Sequence, residues 1–190
     1  MKKLFFAMMI GTVVMACTSK TDNPFFKSYE NEYGAPPFDK IKTEHYMPAF
    51  SEGIKQHQAE IDSIANNTEE PTFANTIEKM DFSGVLLKKV SSAFFNVQSA
   101  DTNDDLDSIA QEITPVLTEH NDNIYLNDKL FQRVKKLYDN RANLGLTPEQ
   151  NRLLEKYYKN FIRSGAALND AQKSQLREIN KELSSAELTF

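Results

Sequence analysis

The fold class is decided by residues 43–66, which read TEHYMPAFSEGIKQHQAEIDSIAN. Apolar side chains recur there in steps of three and four residues, together with one histidine: Met47, Phe50, Ile54, His57, Ile61 and Ile64. This spacing places them on one face of an α-helix. Pro48 falls in the opening turns, where a missing backbone N–H costs least. The stretch therefore predicts a long amphipathic helix.

The same period continues towards the C-terminus and predicts a second and a third helix. The second follows Thr72 and covers residues 73–97, with Gly84 on its apolar stripe, where its predicted role is to let another helix come close. The third covers residues 106–124. Pro115 lies in its interior and predicts a kink or a break, because proline lacks the N–H donor and clashes with the preceding turn.

Three further helices complete the prediction. The fourth covers residues 130–138 and is opened by Asn127. The fifth begins at residues 147–150, Thr-Pro-Glu-Gln, a capping box with proline at the first helical position, and stops at Ser164-Gly165. The sixth runs from Asn169 to the last residue. Since no alternating apolar and polar run predicts a strand, the sequence predicts an all-α fold of about six helices.

Composition limits the class of protein. The chain has 190 residues, of which 26% are charged and 40% hydrophobic, with only 6 Gly and 7 Pro, so collagen-like, low-complexity and multi-pass membrane proteins are excluded. A chain of this length buries about 70% of its unfolded surface and needs no disulfide. The net charge of -5 argues against nucleic acid as a partner, because a phosphate backbone requires a basic face.

The N-terminus has the pattern of an export signal. Lys2 and Lys3 precede an uncharged, mostly apolar run at residues 4–16, which is too short for a bilayer span of about 20 residues. Val-Met-Ala-Cys at positions 14–17 resembles the bacterial lipobox, which implies removal of residues 1–16 and acylation of Cys17. The alternative is a plain signal peptide that leaves Cys17 as a free thiol.

The residues after the signal predict a tether. Residues 17–42 are interpreted as an acylated cysteine, a short polar linker and an extended segment, because Pro24, Gly34, Pro36 and Pro37 disfavour regular structure there. Residues 43–190 then form the helical region. On the usual lipoprotein sorting rule, Thr18 after the cysteine favours the outer membrane of a Gram-negative cell.

The three histidines do not have metal-ligand spacing. No HExxH occurs in the chain, and no second His or Cys lies at the required spacing from His45, His57 or His120. His57 and His120 lie on apolar helix faces and are predicted to be satisfied, partly buried side chains. His45 is predicted to be a packing or capping residue.

A calcium loop is the second candidate for chemistry. Ligand-type side chains occupy positions 1, 3, 5, 7 and 12 of a would-be EF-hand: Asp101, Asn103, Asp105, Asp107 and Glu112. Position 6 is Leu106 instead of the glycine that permits the sharp turn, and the helical stripe continues through the segment. Acidic residues at a helix start, which the helix dipole favours, are the preferred interpretation.

No nucleophile pattern is present either. The chain has no GxSxG, no glycine-rich phosphate loop and no cysteine with a plausible histidine partner. The residues alone therefore predict an exported, lipid-anchored helical protein without a visible active site.

Four longer segments of the sequence together resemble a known protein family. They read NPFFKSYENEYGAPPFDKIKTEHYMPAF at 23–50, EEPTFANTIEKMDFSGVLLKKVSSAFFNVQSADTND at 69–104, LNDKLFQRVKKLY at 126–138 and EKYYKNFIRSGAAL at 155–168. In this order they resemble the N-terminal helical region of the dipeptidyl carboxypeptidases, which are zinc metallopeptidases of the thimet-oligopeptidase family.

The resemblance implies a largely helical enzyme with a deep channel for short oligopeptides. In this family an HExxH motif and a downstream glutamate hold zinc, and these residues lie in the C-terminal part of the chain. None of them maps onto residues 1–190, so we expect no catalytic and no zinc-binding residue in this fragment. The chain alone is expected to be inactive, and the full-length protein to be a monomeric zinc peptidase.

Two hypotheses remain open. The first is the N-terminal part of a lipid-anchored peptidase that releases dipeptides from oligopeptides, with a truncation at residue 190, because the last helical stripe has no stop signal. The second is a non-catalytic, lipid-anchored helical module that binds peptides or a protein partner. A reading frame that continues into an HExxH segment would distinguish the first from the second.

Overall fold

A computed structural model of the chain describes residues 22–31 and 33–187. Within these ranges the protein is all-α without a strand, which confirms the predicted fold class. The α-helices are α1 (Tyr46–Ala65), α2 (Lys79–Phe82), α3 (Val85–Ala100), α4 (Asp104–Tyr125), α5 (Asp128–Asp139), α6 (Pro148–Arg163) and α7 (Asp170–Glu187). A π-helix (Phe73–Glu78) leads into α2, and short 3₁₀ turns occupy Pro24–Phe26, Thr43–His45 and Arg141–Asn143.

The helix starts that were predicted from capping residues are confirmed. Thr147 accepts a hydrogen bond from the Gln150 N–H, while the Gln150 side chain accepts from the Thr147 N–H. Asn127 caps α5 by accepting from the Leu130 N–H. At the other end of α6, Gly165 has φ +91°, a conformation that glycine adopts without steric cost. This is the predicted C-terminal stop.

One prediction about the middle of the chain is wrong, and another is wrong in part. The second helix, expected over residues 73–97, is broken at Ser83-Gly84, because Gly84 has φ +69° and therefore ends α2 before α3 begins. Of the kink or break predicted at Pro115, the break does not occur, since α4 runs through this residue without interruption, and the kink stays a prediction. Buried residues on both sides of Pro115, Ile113 and His120, anchor α4 and outweigh one lost hydrogen bond.

The first of two hydrophobic clusters lies between the N-terminal half of α1, α3 and the start of α4. We call it the α1–α3 cluster; its buried members are Phe25, Tyr46, Ala49, Phe50, Leu87, Val90, Ala93, Phe94, Leu106, Ala110 and Ile113. Phe25 belongs to the segment that was predicted to lack regular structure. It lies in a 3₁₀ turn and is only 1% exposed, so this segment is part of the core.

The second cluster lies between the C-terminal half of α1, the π-helix, α5 and α6. We call it the α5–α6 cluster; its buried members are Ile61, Ile64, Ala65, Ile77, Met80, Ile124, Leu130, Phe131, Val134, Leu137, Leu154, Phe161 and Ala166. Helix α7 packs mainly on α4, at the side of these two clusters. The fold is thus a helical layer with two separate apolar centres.

Some predictions fall outside the described residues. These are the export signal at residues 1–16, acylation of Cys17 and the end of the sixth predicted helix at residues 188–190. Among the residues that are described, every helix is too short or too polar to cross a membrane.

Candidate functional site

A layer of polar groups separates the α1–α3 cluster from the α5–α6 cluster. It consists of His57 and Glu60 on α1, Ser83 and Gly84 at the break between α2 and α3, and His120 on α4. We call these five residues the polar layer. It is the strongest candidate for a functional site within residues 22–31 and 33–187, because it joins three chain segments through titratable groups.

Helical spacing positions the two histidines. On α1, Phe50 belongs to the α1–α3 cluster and Ile61 to the α5–α6 cluster, with His57 between them. On α4, Ile113 and Ile124 belong to the same two clusters, with His120 between them. Because α1 and α4 pack side by side, the two histidines lie next to each other, between the two hydrophobic clusters.

The two imidazoles form one hydrogen-bonded chain with Ser83. The His120 Nε2 lies 3.0 Å from the His57 Nδ1, and the His57 Nε2 lies 3.1 Å from the Ser83 Oγ. The Ser83 Oγ lies 2.7 Å from the backbone oxygen of Met80. The ring centroids of the two histidines are 5.0 Å apart, at an interplanar angle of 64°.

The backbone oxygen of Met80 determines which atom donates and which accepts in each of these hydrogen bonds. A carbonyl only accepts, so the Ser83 hydroxyl donates to it and accepts from the His57 Nε2–H. A neutral His57 with its proton on Nε2 has a lone pair on Nδ1. That lone pair accepts from the His120 Nε2–H, so both imidazoles carry their proton on Nε2.

Gly84 has a steric role beside the His57 ring. The Gly84 N–H donates to the Glu60 Oε2 over 2.7 Å. A Cβ atom at position 84 would lie 3.0 Å from the His57 ring, so no larger residue fits without displacement. At Gly84 the close neighbour is thus the side chain of His57 on α1, and the role of this glycine in breaking the helix was missed.

Burial keeps both imidazoles neutral. It lowers the pKa of His57 to about 4, and the neighbouring His120 and Lys88 act in the same direction, whereas Glu60 opposes them. Burial also lowers the pKa of His120. At pH 7 the polar layer therefore contains an uncharged imidazole pair.

The other histidine also has the predicted role. The His45 Nδ1 accepts a hydrogen bond from the Lys42 N–H over 3.0 Å, which makes it a capping residue at the start of the first helical turn. His57 and His120 are satisfied, as predicted from their place on apolar helix faces.

The residues of the would-be calcium loop form a helix start instead. Asn103 caps α4 by accepting from the Leu106 N–H over 3.0 Å, and α4 continues to Tyr125. The Asp107 carboxylate accepts from Thr102 and Gln98, and these hydrogen bonds lower the pKa of Asp107. Across the described part of the chain, no three His, Cys, Asp or Glu side chains converge as metal ligands.

Sequence reasoning missed two of the polar groups that organise this region. Glu60 follows His57 by one helical turn, so its spacing was available as a signal. Arg133 lies on the apolar face of α5 and is 7% exposed, and it donates to the backbone oxygens of Asn67 and Glu69 over 2.7 and 2.9 Å. The position of Arg133 on an apolar stripe did not indicate which loop it would bind.

Open grooves flank the polar layer on two sides. A groove of about 560 Å³ has Glu60, Phe82 and Ser83 in its wall. A second, of about 510 Å³, has His120 in its wall. Phe82 is 70% exposed, so the surface beside the helix break is markedly apolar.

Comparison with known proteins gives several similar peptidases, while no family model matches the chain. A dipeptidyl carboxypeptidase of Escherichia coli strain K12 is 43% identical over 162 residues, which cover 85% of this chain and 24% of the relative. A dipeptidyl carboxypeptidase of Salmonella typhimurium strain LT2 is 39% identical over 160 residues, covering 84% and 24%. An oligopeptidase A of the same Salmonella strain is 21% identical over 162 residues, covering 85% and 23%.

These relatives support a peptidase family for the chain, in agreement with the resemblance found in its sequence. The chain spans about a quarter of the length of the curated relatives it matches.

Proposed function

We propose that the helical region at residues 43–190 is the N-terminal channel wall of a zinc metallopeptidase that releases dipeptides from the C-terminus of short oligopeptides. The observation that carries the proposal is the similarity to two dipeptidyl carboxypeptidases over more than four fifths of the chain. Similarity to oligopeptidase A is weaker over the same length, which favours the dipeptide-releasing branch over the endopeptidase branch.

The residues of the polar layer do not fit a zinc site. A catalytic zinc needs three protein ligands and an open position for water. His57 and His120 use their facing nitrogens for a hydrogen bond to each other, and Glu60 accepts from the Gly84 N–H. The proposal therefore assigns the metal and the catalytic residues to the part of the peptidase that these 190 residues do not include.

The direct experiment compares the 190-residue chain with the product of the complete natural reading frame. Both are purified and incubated with N-blocked oligopeptides, and dipeptide release is followed by chromatography. We expect release by the longer product only, with loss of activity after chelation and recovery after zinc is added back. A longer product whose HExxH glutamate is changed to glutamine serves as the inactive control.

Two results would contradict this proposal. Zinc-dependent dipeptide release by the 190-residue chain would show that its own residues form the active centre. A complete reading frame without an HExxH segment would favour the alternative, a non-catalytic helical module that binds peptides or a protein partner.

We also propose that Cys17 is acylated and anchors the protein to the outer membrane. The support is the pattern of Lys2 and Lys3, the apolar run at residues 4–16 and the small residue before the cysteine. More than one acyl chain is needed for a stable anchor, because a single chain binds a bilayer only marginally. Mass spectrometry of the mature protein should find an acylated Cys17 as its first residue, whereas an unmodified start elsewhere would overturn the proposal.

A further inference from the structure

We propose that the apolar stripe of α7 and the groove beside it are covered by a helix from the part of the peptidase that these 190 residues do not include. This inference rests on the proposed function and names the surface through which the helical region joins the rest of the enzyme. The groove lies between α4 and α7 and has a volume of about 520 Å³. We call it the α4–α7 groove.

Helix α7 contacts the C-terminal half of α4 through a polar stripe. Three residues of this stripe donate hydrogen bonds to α4 or to the residue after it: Lys173 to the backbone oxygen of Leu126 over 3.3 Å, Arg177 to the Asn123 side chain over 2.9 Å and Asn180 to the Asp122 side chain over 2.8 Å. Ser184 continues the same spacing and is 5% exposed. The buried residues of α7 are thus polar, which is the reverse of an ordinary amphipathic helix, since such a helix buries its apolar stripe.

The apolar residues of α7 lie outside this contact. Leu176, Ile179 and Leu183 follow one another in steps of three and four, so they form one stripe about a quarter of a turn from the polar one. Ile179 is 58% exposed and Leu183 is 53% exposed, whereas Leu176 is half-buried. Leu176 and Leu183 line the α4–α7 groove, and Leu117 of α4 lines it as well. The stripe therefore forms an apolar wall of an open groove.

The α4 side of the groove holds a polar atom without a partner. Thr114 lines the groove, and its hydroxyl oxygen is buried but makes no hydrogen bond within residues 22–31 and 33–187. A buried hydroxyl that lacks a partner costs free energy, and native proteins contain few such groups. A segment that lies in the groove can supply the missing hydrogen bond.

The size of the exposed stripe decides between the possible occupants. Each partner of a stable dimer buries about 800 Å². Two half-exposed aliphatic side chains provide only a small part of that area, so a second copy of the chain is disfavoured. A segment of the same polypeptide needs no such area, because its covalent connection removes most of the cost of association. A peptidase of the relatives' length, of which the chain covers 24%, has ample further chain for this purpose.

A helix is the element that fits this groove. The side chains of one helix pack into the grooves of its neighbours, with axes about 8–10 Å apart. The described part of the chain is all-α, and its two clusters are closed by the same kind of packing. We therefore expect the covering helix to present apolar side chains in steps of three and four to Leu176 and Leu183, and a polar one to Thr114.

Cysteine labelling tests the cover directly. Leu183→Cys places a thiol on the stripe, and the control Glu182→Cys places one on the next residue, which is exposed on another face of α7. Each variant is made in the 190-residue chain and in the product of the complete natural reading frame, and maleimide modification at that position is followed by peptide mapping. We expect position 183 to react about tenfold or more slowly in the longer product than in the 190-residue chain, while position 182 reacts at similar rates in both.

Several results would overturn the cover. Equal rates at position 183 in the two products would show that the groove is open in the longer protein. Slow reaction at position 183 already in the 190-residue chain would contradict it as well, and a rate that rises on dilution would identify a second copy as the occupant. If Leu183→Cys does not fold, Ile179→Cys on the same stripe serves as the reporter.

Dipeptide release by the longer product tests the proposed function separately. Release together with rapid labelling at position 183 refutes only the cover. Slow labelling without release supports the cover and contradicts the peptidase assignment. A reading frame that ends at Phe190 would refute both.

Discussion

The α1–α3 cluster and the α5–α6 cluster differ in how deeply the basic side chain beside each of them is buried. In the α1–α3 cluster, aromatic rings meet edge to face: Phe94 lies 5.0 Å from Tyr46 and 5.4 Å from Phe50, measured between ring centroids. Helix α1 comes so close to α3 that a Cβ atom at Gly53 would lie 3.0 Å from the Leu87 backbone. Interlocking of apolar groups therefore holds this cluster together.

The α5–α6 cluster is bordered by a connection, the loop between α1 and the π-helix, whose residues are exposed or half-buried. The guanidinium of Arg133 donates to two backbone oxygens of this loop, those of Asn67 and Glu69. It also donates to the side chains of Asn75 and Thr76. The α1–α3 cluster borders such a segment too, and there Lys89 donates to the backbone oxygens of Phe25 and Lys27 over 3.0 and 2.6 Å. The comparison teaches that a cluster bordered by a non-helical segment needs a donor for the backbone of that segment, and that only the donor of the α5–α6 cluster, Arg133, is itself buried.

The largest expected effect comes from the aromatic centre of the α1–α3 cluster. Phe94 is fully buried, so Phe94→Ala should lower the free energy of unfolding by about 4 kcal/mol through lost burial and a new cavity. Chemical denaturation followed by circular dichroism measures the change. Phe82→Ala removes a ring that is 70% exposed and should cost less than about 0.5 kcal/mol. Equal losses in the two variants would contradict the burial argument.

The next effect tests the buried donor of the α5–α6 cluster. Arg133→Leu keeps much of the apolar bulk but leaves four acceptors without their partner, and we expect a loss of about 3 kcal/mol. Arg152→Leu removes an arginine that pairs with Glu155 on the surface and should change stability by less than about 0.5 kcal/mol. If Arg133→Leu were neutral, apolar packing alone would hold this cluster.

A smaller effect is expected at the junction of the two clusters. Gly84→Ala should cost about 2 kcal/mol, because alanine resists φ +69° and its Cβ would displace the His57 ring. Gly145 is the matched control, since it has φ +62° but no atom within 4 Å of a Cβ. Gly145→Ala should therefore show the backbone cost alone, about 1 kcal/mol. Thermal unfolding of the two variants measures the difference, and equal losses would mean that the ring contact is unimportant.

The smallest effect is expected at a helix end that lies outside both clusters, the start of α6. Thr147→Ala removes the hydroxyl that caps α6 and should cost about 1 kcal/mol, whereas Thr147→Ser should retain most of the stability. Urea titration of both variants measures the two losses. Similar losses from alanine and serine would show that the threonine methyl group, and not the cap, stabilises this helix start.

Helix faces and capping signals could be predicted from the sequence because they are local. The stripe from Met47 to Ile64 and the box at Thr147 and Gln150 are determined by neighbours three or four residues away. The break at Ser83-Gly84 carries the same Ser-Gly signal as the stop at Ser164-Gly165, and it was missed because the apolar stripe continues through it.

The candidate site could be predicted only in part. The sequence placed His57 and His120 on apolar faces but gave no sign that the two rings meet, since that depends on how α1 packs against α4. The role of Arg133 was hidden for the same reason, because its partners lie 57 to 66 residues away.

A chimera tests the central claim, that this chain is the wall of a dipeptide-releasing peptidase, most directly. The matched segment of the Escherichia coli dipeptidyl carboxypeptidase is replaced by the similar part of this chain, and dipeptide release from N-blocked oligopeptides is measured. The natural relative serves as the reference, and a chimera that carries Phe94→Ala serves as the destabilised control. We predict that the unmodified chimera folds and releases dipeptides, whereas a chimera that folds cooperatively but releases none would contradict the claim.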